Sequence, residues 1–203
     1  METHEPALKY ETSLWPSEFI NWERSSVAKH EYADGKIIAM AGASIVHNRI
    51  LSNVIIEVGN LLKNKPCNIY PSDLRVYVKS RESYFYPDAT IICGDIEYAD
   101  EEKDTIRNPS VIFEILSPST EEYDTGKKLF FYMQIESLQQ YIMVNSTSLL
   151  VRSVKRQADG AWRFQELEQA DEKLLIEPIS FGMSLADIYE GISFPKSSSG
   201  LRK

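Results

Sequence analysis

The sequence predicts a mixed α/β fold, and two kinds of hydrophobic pattern indicate it. Apolar residues recur at helical spacing between Ser44 and Leu62, which is typical of a long amphipathic helix with one face on a core. Alternating or continuous apolar runs predict strands at residues 74–78, 86–93, 110–117 and 140–145. Because helices and strands follow in mixed order, we expect one domain over residues 1–195 and a flexible tail at 196–203.

Turn and cap signals place the first elements along the chain. Residues 1–12 are expected to form a loose lead-in, and Trp15–Trp22 a short helix with a cap near Ser17. The dipeptide Asp34-Gly35 between two strand-like runs is a strong hairpin signal, since such pairs adopt the positive φ angles of a type I′ turn. We therefore expect a hairpin before the long helix.

The second half of the chain is expected to alternate in the same way. Gly94–Arg107 is predicted to be an acidic loop without visible chemistry. Pro118 ends the preceding strand. Ser119 or Thr120 can then cap a helix that continues to about Ile135. The remaining predicted elements are strands at 140–145 and 149–156, a hairpin at Asp159-Gly160, a final strand at Leu174–Ile176 and a short helix at Leu185–Tyr189.

Composition limits the function classes. The net charge of -8 argues against indiscriminate nucleic-acid binding, although a local basic patch or a bound metal can offset it at one cleft. No apolar run reaches the length of a membrane span, and the polar segment Met1–Glu5 is not typical of a signal peptide. Cys67 and Cys93 lack CxxC spacing, so we expect no disulfide framework, no zinc site and a reducing, cytoplasmic setting.

Two acidic residues interrupt the apolar strands. Asp88 shares a predicted strand face with Thr90, and Glu114 has apolar neighbours on both strand faces. A carboxylate in a buried strand is costly unless it is paired, protonated or bound to a metal. Two of them, about one sheet neighbour apart, indicate a hard divalent cation. Without a metal, Asp88 can instead cap a turn, and Glu114 can form a salt bridge with Arg75 or Lys128.

Lys128 adds a cation to the two carboxylates. It lies three and four residues before Phe131 and Tyr132, and therefore on or beside the core-facing stripe of the predicted helix. Lys127 is offset by about 100° and is expected to be more solvated. An amine beside two carboxylates can stabilise negative charge that develops during phosphodiester hydrolysis. The alternative is an exposed Lys128 that pairs with Asp124 one helical turn earlier.

The order of these motifs resembles the Uma family of putative restriction endonucleases, a divergent branch of the PD-(D/E)XK nuclease superfamily. The resemblance covers residues 15–190 and is strongest at 108–132. It implies a restriction-endonuclease-like core, with a curved mixed β-sheet flanked by helices. The matching segments are His30–Gly35, His47-Asn48, Asp73–Val76, Pro87-Asp88, Asn108–Thr120, Asp124 with Lys128, Tyr132 and Gln140–Val144.

The resemblance also implies an activity and a set of site residues. Leu116 stands where the superfamily signature has its lysine, and the family pattern supplies the amine from the next helix, where Lys128 fits. Asp88 and Glu114, with the carbonyl of Ile115, would hold one or two Mg²⁺ ions, for which Mn²⁺ can substitute. The implied reaction is hydrolysis of DNA phosphodiester bonds, with low DNA affinity because the chain is acidic.

Four further positions have two interpretations each. Glu31 can complete the metal site, but an exposed strand carboxylate is the preferred interpretation. His47 shares a helical face with apolar residues and is interpreted as a satisfied core histidine. Asp73 and Arg75 share a strand face and are expected to pair. Tyr132 can contact phosphate, but core packing is preferred.

A rival hypothesis is a catalytically inactive nuclease-fold module that binds nucleic acid or protein. The acidic composition and Leu116 favour it, and the position of the Lys128 amine discriminates between the two. The same ligands also serve a metal-dependent hydrolase of another phosphoester. Restriction-type nucleases often pair, and by this analogy the apolar run Leu149–Val151 can seal a homodimer, while the oligomeric state stays open.

Overall fold

The computed structural model describes residues 9–11 and 14–194 of the 203-residue chain. In these residues, fourteen strands form two six-stranded mixed sheets and one two-stranded sheet, and helices flank the sheets. The predicted mixed α/β class with its flanked mixed sheet is confirmed. No helix in the described residues is long and apolar enough to span a membrane. The predicted tail at 196–203 lies outside the described residues.

The elements have the following bounds. The strands are β1 (Lys9–Glu11), β2 (His30–Ala33), β3 (Lys36–Ala39), β4 (Cys67–Pro71), β5 (Arg75–Val78), β6 (Ser83–Phe85), β7 (Ala89–Cys93), β8 (Thr105–Ile106), β9 (Val111–Leu116), β10 (Gln140–Asn145), β11 (Val151–Arg156), β12 (Trp162–Leu167), β13 (Lys173–Ile176) and β14 (Phe181–Ser184). The helices are α1 (Pro16–Ser25), α2 (Ile45–Leu62), α3 (Glu121–Tyr123), α4 (Leu129–Tyr132) and α5 (Leu185–Ile188), with a π-helical turn at Asp124–Lys128. Two 3-10 turns lie at Lys79–Arg81 and Glu177–Ile179.

Two sheets organise the fold. Sheet A has the strand order β1-β3-β2-β6-β5-β8, and sheet B has the order β12-β11-β10-β9-β7-β4. In the centre of sheet B, β9 and β10 are parallel, and the other pairs of that sheet are antiparallel. All six residues of β9 are buried, as expected for a parallel strand covered on both faces. Sheet B therefore forms the centre of the molecule.

The long helix α2 covers one face of sheet B. Its first turn is capped by Ser44, whose hydroxyl accepts a hydrogen bond from the backbone N–H of His47 at 3.1 Å. Ile50, Val54 and Val58 follow at intervals of four residues and are fully buried against β4, β7 and β9. Each such side chain contributes about 1.5–3 kcal/mol by leaving water. The predicted amphipathic helix is confirmed.

Several predicted elements differ from the structure. Residues 9–11 pair with β3 and so do not belong to a loose lead-in. The helix α1 begins at Pro16 with Trp15 as its N-cap, because proline suits the first helical position and ends the extended segment before it. The predicted final strand is followed by a second strand, β14, with which it forms a hairpin.

The predicted acidic loop at 94–107 takes part in the fold. It ends in β8, and its Asp104 accepts hydrogen bonds from Arg24 and Arg75. Arg75 therefore does not pair with Asp73, which instead forms an exposed ion pair with Lys29. The expected Asp73–Arg75 pair was wrong because Asp73 precedes β5 and does not share its strand face.

The two cysteines form a disulfide with each other, which the sequence did not predict. Cys67 in β4 lies directly opposite Cys93 in β7, and this cross-strand register brings the two side chains together. Spacing in sequence gave no signal for the bond, since the two residues are 26 positions apart and belong to no cysteine-rich pattern.

Candidate functional site

The pairing of β7 with β9 brings the two predicted carboxylates together. Ala89 lies opposite Phe113 in the antiparallel register, so the preceding residue Asp88 lies at the level of Glu114. The Asp88 Oδ2 atom accepts a hydrogen bond from the backbone N–H of Ile115 at 2.7 Å. Asp88 is thereby held beside the strand residue that follows Glu114. It lies just before β7, where its side chain keeps 16% of its surface exposed.

His47 holds the other oxygen of the Asp88 carboxylate. Its Nε2 atom lies 2.9 Å from Asp88 Oδ1, and its side chain is mostly buried at the first turn of α2. His47 is thus satisfied by a hydrogen bond, as interpreted, but its partner is the Asp88 carboxylate. Its helical spacing correctly placed it on the face of α2 toward the protein, and that face extends beyond the apolar core to Asp88 at the start of β7.

Lys128 occupies the space between three carboxylates. Its Nζ atom lies 2.7 Å from Glu31 Oε1, 2.9 Å from Glu114 Oε1 and 3.7 Å from Asp124 Oδ1. All four side chains are buried, with 7% or less of their surfaces exposed. The alternative of an exposed Lys128 paired with Asp124 was therefore wrong, and so was the preferred interpretation of Glu31 as an exposed carboxylate. The neighbouring Lys127 is more exposed, as expected, and pairs with Asp34.

The protonation of this cluster follows from burial and mutual charge. Burial alone lowers the pKa of the Lys128 ammonium, but Glu114, Glu31 and Asp124 outweigh it and hold that pKa well above its ordinary value. Burial raises the pKa of Glu114 well above its ordinary value; Lys128 opposes this shift, while the neighbouring carboxylates add to it. Lys128 therefore stays an ammonium, while burial raises the pKa values of Glu31 and Asp124 as well as that of Glu114 and so favours the protonated carboxyls.

A π-helical turn aims Lys128 into the cluster. The sequence predicted one regular helix to about Ile135, whereas the structure has α3, the π turn Asp124–Lys128 and α4 in succession. A π turn inserts an extra residue and is frequent at functional sites. It buries both Asp124 and Lys128, and the hydroxyl of Tyr141 donates to the Asp124 carbonyl at 3.1 Å. Hydrophobic periodicity alone did not reveal this change of helical pitch.

Tyrosines complete the surroundings of the carboxylates. The hydroxyl of Tyr132 donates to Glu114 Oε1 at 3.3 Å, and its ring packs against Phe85 and Tyr141. Burial, followed by the charge of Glu114, raises the pKa of Tyr132 well above its ordinary value, so the hydroxyl keeps its proton. The backbone N–H of Tyr86 donates to Glu31 Oε1 at 3.1 Å. Core packing of Tyr132 was the preferred interpretation, and the structure adds its hydrogen bond to Glu114.

The residues present fit a metal ion that keeps water ligands, such as Mg²⁺, and do not fit one that is coordinated wholly by side chains. Among the described side chains, those of residues 14–194, no group of three or more His, Cys, Asp or Glu is arranged to hold a metal. Mg²⁺ needs only one or two carboxylates, because it keeps water molecules and binds substrate phosphates. Asp88 and Glu114 supply such a pair. The carbonyl of Ile115 as a third ligand stays a prediction.

Comparisons with known proteins identify the family to which the chain is similar. The family model described as "Uma2: Putative restriction endonuclease" matches residues 16–187. An uncharacterized protein of Synechocystis, slr1290, is 34% identical over 194 residues, which cover 96% of this chain and 100% of the relative. A second uncharacterized Synechocystis protein, sll1609, is 32% identical over 154 residues, which cover 76% of this chain and 87% of the relative.

A solved structure supports the fold. A crystal structure from Anabaena variabilis, described as a putative nuclease belonging to DUF820, superposes with a TM-score of 0.73 at 16% identity. The match covers 87% of this chain and 97% of the other chain. The described architecture is therefore shared with a nuclease-like structural neighbour.

Proposed function

Because the chain belongs to the Uma2 family of putative restriction endonucleases, we propose that it is a Mg²⁺-dependent endonuclease that hydrolyses DNA phosphodiester bonds. One observation carries the proposal. The Lys128 amine lies 2.9 Å from Glu114, and Ile115, the next residue of β9, holds Asp88 through its backbone N–H. The amine thus contacts Glu114 of the proposed carboxylate pair, although Leu116 occupies the position of the superfamily lysine. DNA as the substrate rests on the family description.

Asp88 and Glu114 would hold the metal. A bound Mg²⁺ lowers the pKa of a coordinated water and neutralises charge on the scissile phosphate. Asp88 is ready for this role because His47 and the Ile115 N–H fix both of its oxygens, so that little orientation entropy is lost when it binds. Glu114 is held at one oxygen, Oε1, by both Lys128 and Tyr132.

Lys128 would act as a fixed positive charge. Since its pKa is held well above the ordinary value, it cannot serve as a general base near neutral pH. Its ammonium can donate hydrogen bonds to the attacking water or to a phosphate oxygen as negative charge develops there. Glu31 would position this amine, because the 2.7 Å contact with Glu31 is its shortest ion pair. Glu31 is therefore a positioning residue in this proposal.

The test is cleavage of supercoiled and single-stranded DNA with Mg²⁺ or Mn²⁺. Asp88→Asn, Glu114→Gln and Lys128→Met should each lower kcat by at least about a hundredfold, the scale expected when a fixed charge at the reacting centre is lost. Lys127→Met is the matched control for the amine, since Lys127 is the neighbouring lysine and pairs with Asp34 instead. Glu122→Gln is the control for the carboxylates, since Glu122 is exposed.

Thermal melts and metal titration separate the outcomes. Folded variants with cleavage lost at the three site positions, and kept in both controls, support the nuclease. Cleavage that persists in all three site variants points to a contaminant or to a different site. A wild-type chain that neither binds Mg²⁺ in calorimetry nor cleaves either DNA favours the catalytically inactive binding module.

A further inference from the structure

Tyr86 lies where the chain passes from sheet A to sheet B, directly after β6 and shortly before β7. Its backbone N–H donates to Glu31 Oε1 at 3.1 Å, and Asp88 follows it after a single proline. Pro87 has a fixed φ angle and restricts Tyr86 to extended conformations, so few soft dihedral angles separate Tyr86 from Asp88. The position of Tyr86 is therefore transmitted to two carboxylates of the candidate site.

The side chain of Tyr86 is directed toward α1. Its hydroxyl donates to Glu23 Oε1 at 3.0 Å and accepts a hydrogen bond from Arg75 Nη1 at 2.7 Å. Because a guanidinium can only donate, the hydroxyl proton is directed to Glu23. Burial raises the pKa of Tyr86 to about 12, so the hydroxyl keeps this proton near neutral pH. Two buried groups thus hold the Tyr86 hydroxyl in one orientation.

The same Glu23 carboxylate also holds the strand that carries Glu31. Glu23 Oε1 accepts a hydrogen bond from the backbone N–H of His30 at 3.0 Å, and Glu23 Oε2 lies 3.0 Å from His30 Nδ1. His30 directly precedes Glu31 in β2. Glu23 Oε1 therefore binds both the His30 N–H and the Tyr86 hydroxyl. One buried oxygen atom joins the two chain segments that bear Glu31 and Asp88.

Apolar packing does not account for these buried polar groups. The interface between α1 and sheet A already has an apolar cluster that includes Phe19, Tyr32 and Tyr84. Burying a carboxylate and a guanidinium beside it costs free energy that apolar side chains of similar volume would not cost. The hydrogen bonds add direction instead, since each one constrains an angle as well as a distance. Direction is what Glu31 needs in order to meet the Lys128 amine at 2.7 Å.

We propose that Glu23 and Tyr86 form a buried clamp that positions Glu31 and Asp88 for metal-dependent hydrolysis. This inference rests on the proposed nuclease function. The clamp acts through the backbone, because the Tyr86 N–H holds Glu31, and Glu31 in turn holds the Lys128 amine. The hydroxyl of Tyr86 contacts Glu23 and Arg75, not the proposed metal ligands. Glu23 and Tyr86 are therefore positioning residues.

Cleavage kinetics with Mg²⁺ and supercoiled DNA test the clamp. Tyr86→Phe removes the hydroxyl and keeps the ring and the backbone N–H. It should lower kcat by about tenfold, as for other groups that orient site residues, and leave KM nearly unchanged because no substrate contact is lost. Tyr32→Phe is the matched control. It removes another buried tyrosine hydroxyl of sheet A, which donates to the Leu14 carbonyl, and should leave kcat unchanged.

Variants of Glu23 repeat the test at the other end of the hydrogen bond. Glu23→Met removes the acceptor for both the Tyr86 hydroxyl and the His30 N–H, so it should lower kcat as Tyr86→Phe does. Glu23→Gln keeps an oxygen acceptor at nearly constant volume and should restore most of the kcat that Glu23→Met loses. Thermal melts identify the temperature at which every variant is folded.

The buried Lys128 ammonium reports on the clamp without any cleavage. Heteronuclear NMR detects a lysine ammonium when its protons exchange slowly with water, and the absence of the signal in Lys128→Met assigns it. Because Glu31 forms the shortest ion pair of this amine, Tyr86→Phe should weaken the signal through faster exchange. Tyr32→Phe should leave the signal as in wild type.

The outcomes separate the clamp from general stability and from the nuclease proposal. A lower kcat together with faster ammonium exchange in Tyr86→Phe, and neither in Tyr32→Phe, supports the clamp. Equal changes in both variants, or a lower kcat in Tyr86→Phe with the ammonium exchange of wild type, overturn it. A wild-type chain that cleaves no DNA refutes the nuclease, and the comparison of ammonium exchange then decides the clamp by itself.

Discussion

One face of β9 is apolar, and the other carries a single charged residue among apolar ones. Phe113 and Ile115 lie in the apolar layer beneath α2. On the other face, Leu116 is also buried among apolar residues, but Glu114 contacts Lys128. Burial of the apolar face stabilises the fold, whereas burial of the charged group on the other face destabilises it in part. A strand fixed firmly on one face can hold charged groups on the other in a geometry that they would not adopt alone. Stability and chemistry are thus separated by a single residue step.

Phe113→Ala should break the apolar face and leave the charged face intact. We expect a loss of about 3–5 kcal/mol in the free energy of unfolding, since a fully buried aromatic side chain leaves a cavity. Urea denaturation measures this loss. Cleavage per folded molecule should change little at temperatures well below the melting point.

The matched comparison is Glu114→Gln, one residue along the strand. It removes a charge at nearly constant volume and leaves Lys128 paired with Glu31 and Asp124, so it should abolish cleavage with a smaller effect on unfolding. If Phe113→Ala lowered cleavage as much as Glu114→Gln while the protein remained folded, the two faces would not be separable.

His47→Gln should loosen the charged face without removing a ligand. It takes away the imidazole that holds Asp88 Oδ1, and we expect metal affinity to fall by about 10–100-fold, as for other groups that orient a metal ligand. Isothermal titration with Mn²⁺ measures this change independently of activity. Arg49→Gln, at an exposed position on the same helix, serves as the control. Unchanged affinity in His47→Gln would assign the histidine to packing alone.

Asp104→Asn should weaken a second charged network, formed by Arg24, Arg75 and Asp104, without changing the candidate site. Hydrogen bonds from Arg24 lower the pKa of Asp104 below its ordinary value of 3.8, against the effect of burial, and Arg75 adds to the lowering. A lowered carboxylate pKa stabilises the fold above the unfolded-state value, and this stability is lost as the pH falls through the folded-state value.

The effect of Asp104→Asn should be small, at most about 1 kcal/mol, because Asp104 is more than one third exposed and water screens its ion pairs. Urea unfolding from pH 7 downward should show a shallower loss of stability below pH 3.8 in the variant than in wild type. Parallel acid profiles would mean that Asp104 contributes nothing to the fold through its charge.

Local patterns predicted much of the fold because they depend on local physics. The spacing from Val46 to Leu62 specified α2, and Asp34-Gly35 specified the β2–β3 turn, where both residues have positive φ. Because Glu114 lies in a buried strand, it requires a partner, and of the two predicted partners, Arg75 and Lys128, Lys128 is the correct one. The assignment of Asp88, Glu114, Lys128, Glu31 and Tyr132 to catalysis remains a prediction.

Contacts between distant segments were beyond the reach of these patterns. His47 contacts Asp88, which is 41 positions away in the sequence. Glu31, from sheet A, contacts the same Lys128 amine as Glu114 from sheet B. The π turn is a further example, because hydrophobic spacing does not distinguish it from a regular helix. The Cys67–Cys93 bond depends likewise on the register of two strands.

The sequence by itself determined the types of the elements and the apolar core positions, since these follow from hydrophobic period and turn chemistry. It also showed that the carboxylates in two apolar strands need a partner, because burying an unpaired charge is costly. Only the tertiary structure decided which groups are those partners. An ion pair depends on distances of a few ångströms between side chains, and strand register and helix pitch set those distances. The position of the Lys128 amine among Glu31, Glu114 and Asp124 is therefore a property of the folded chain.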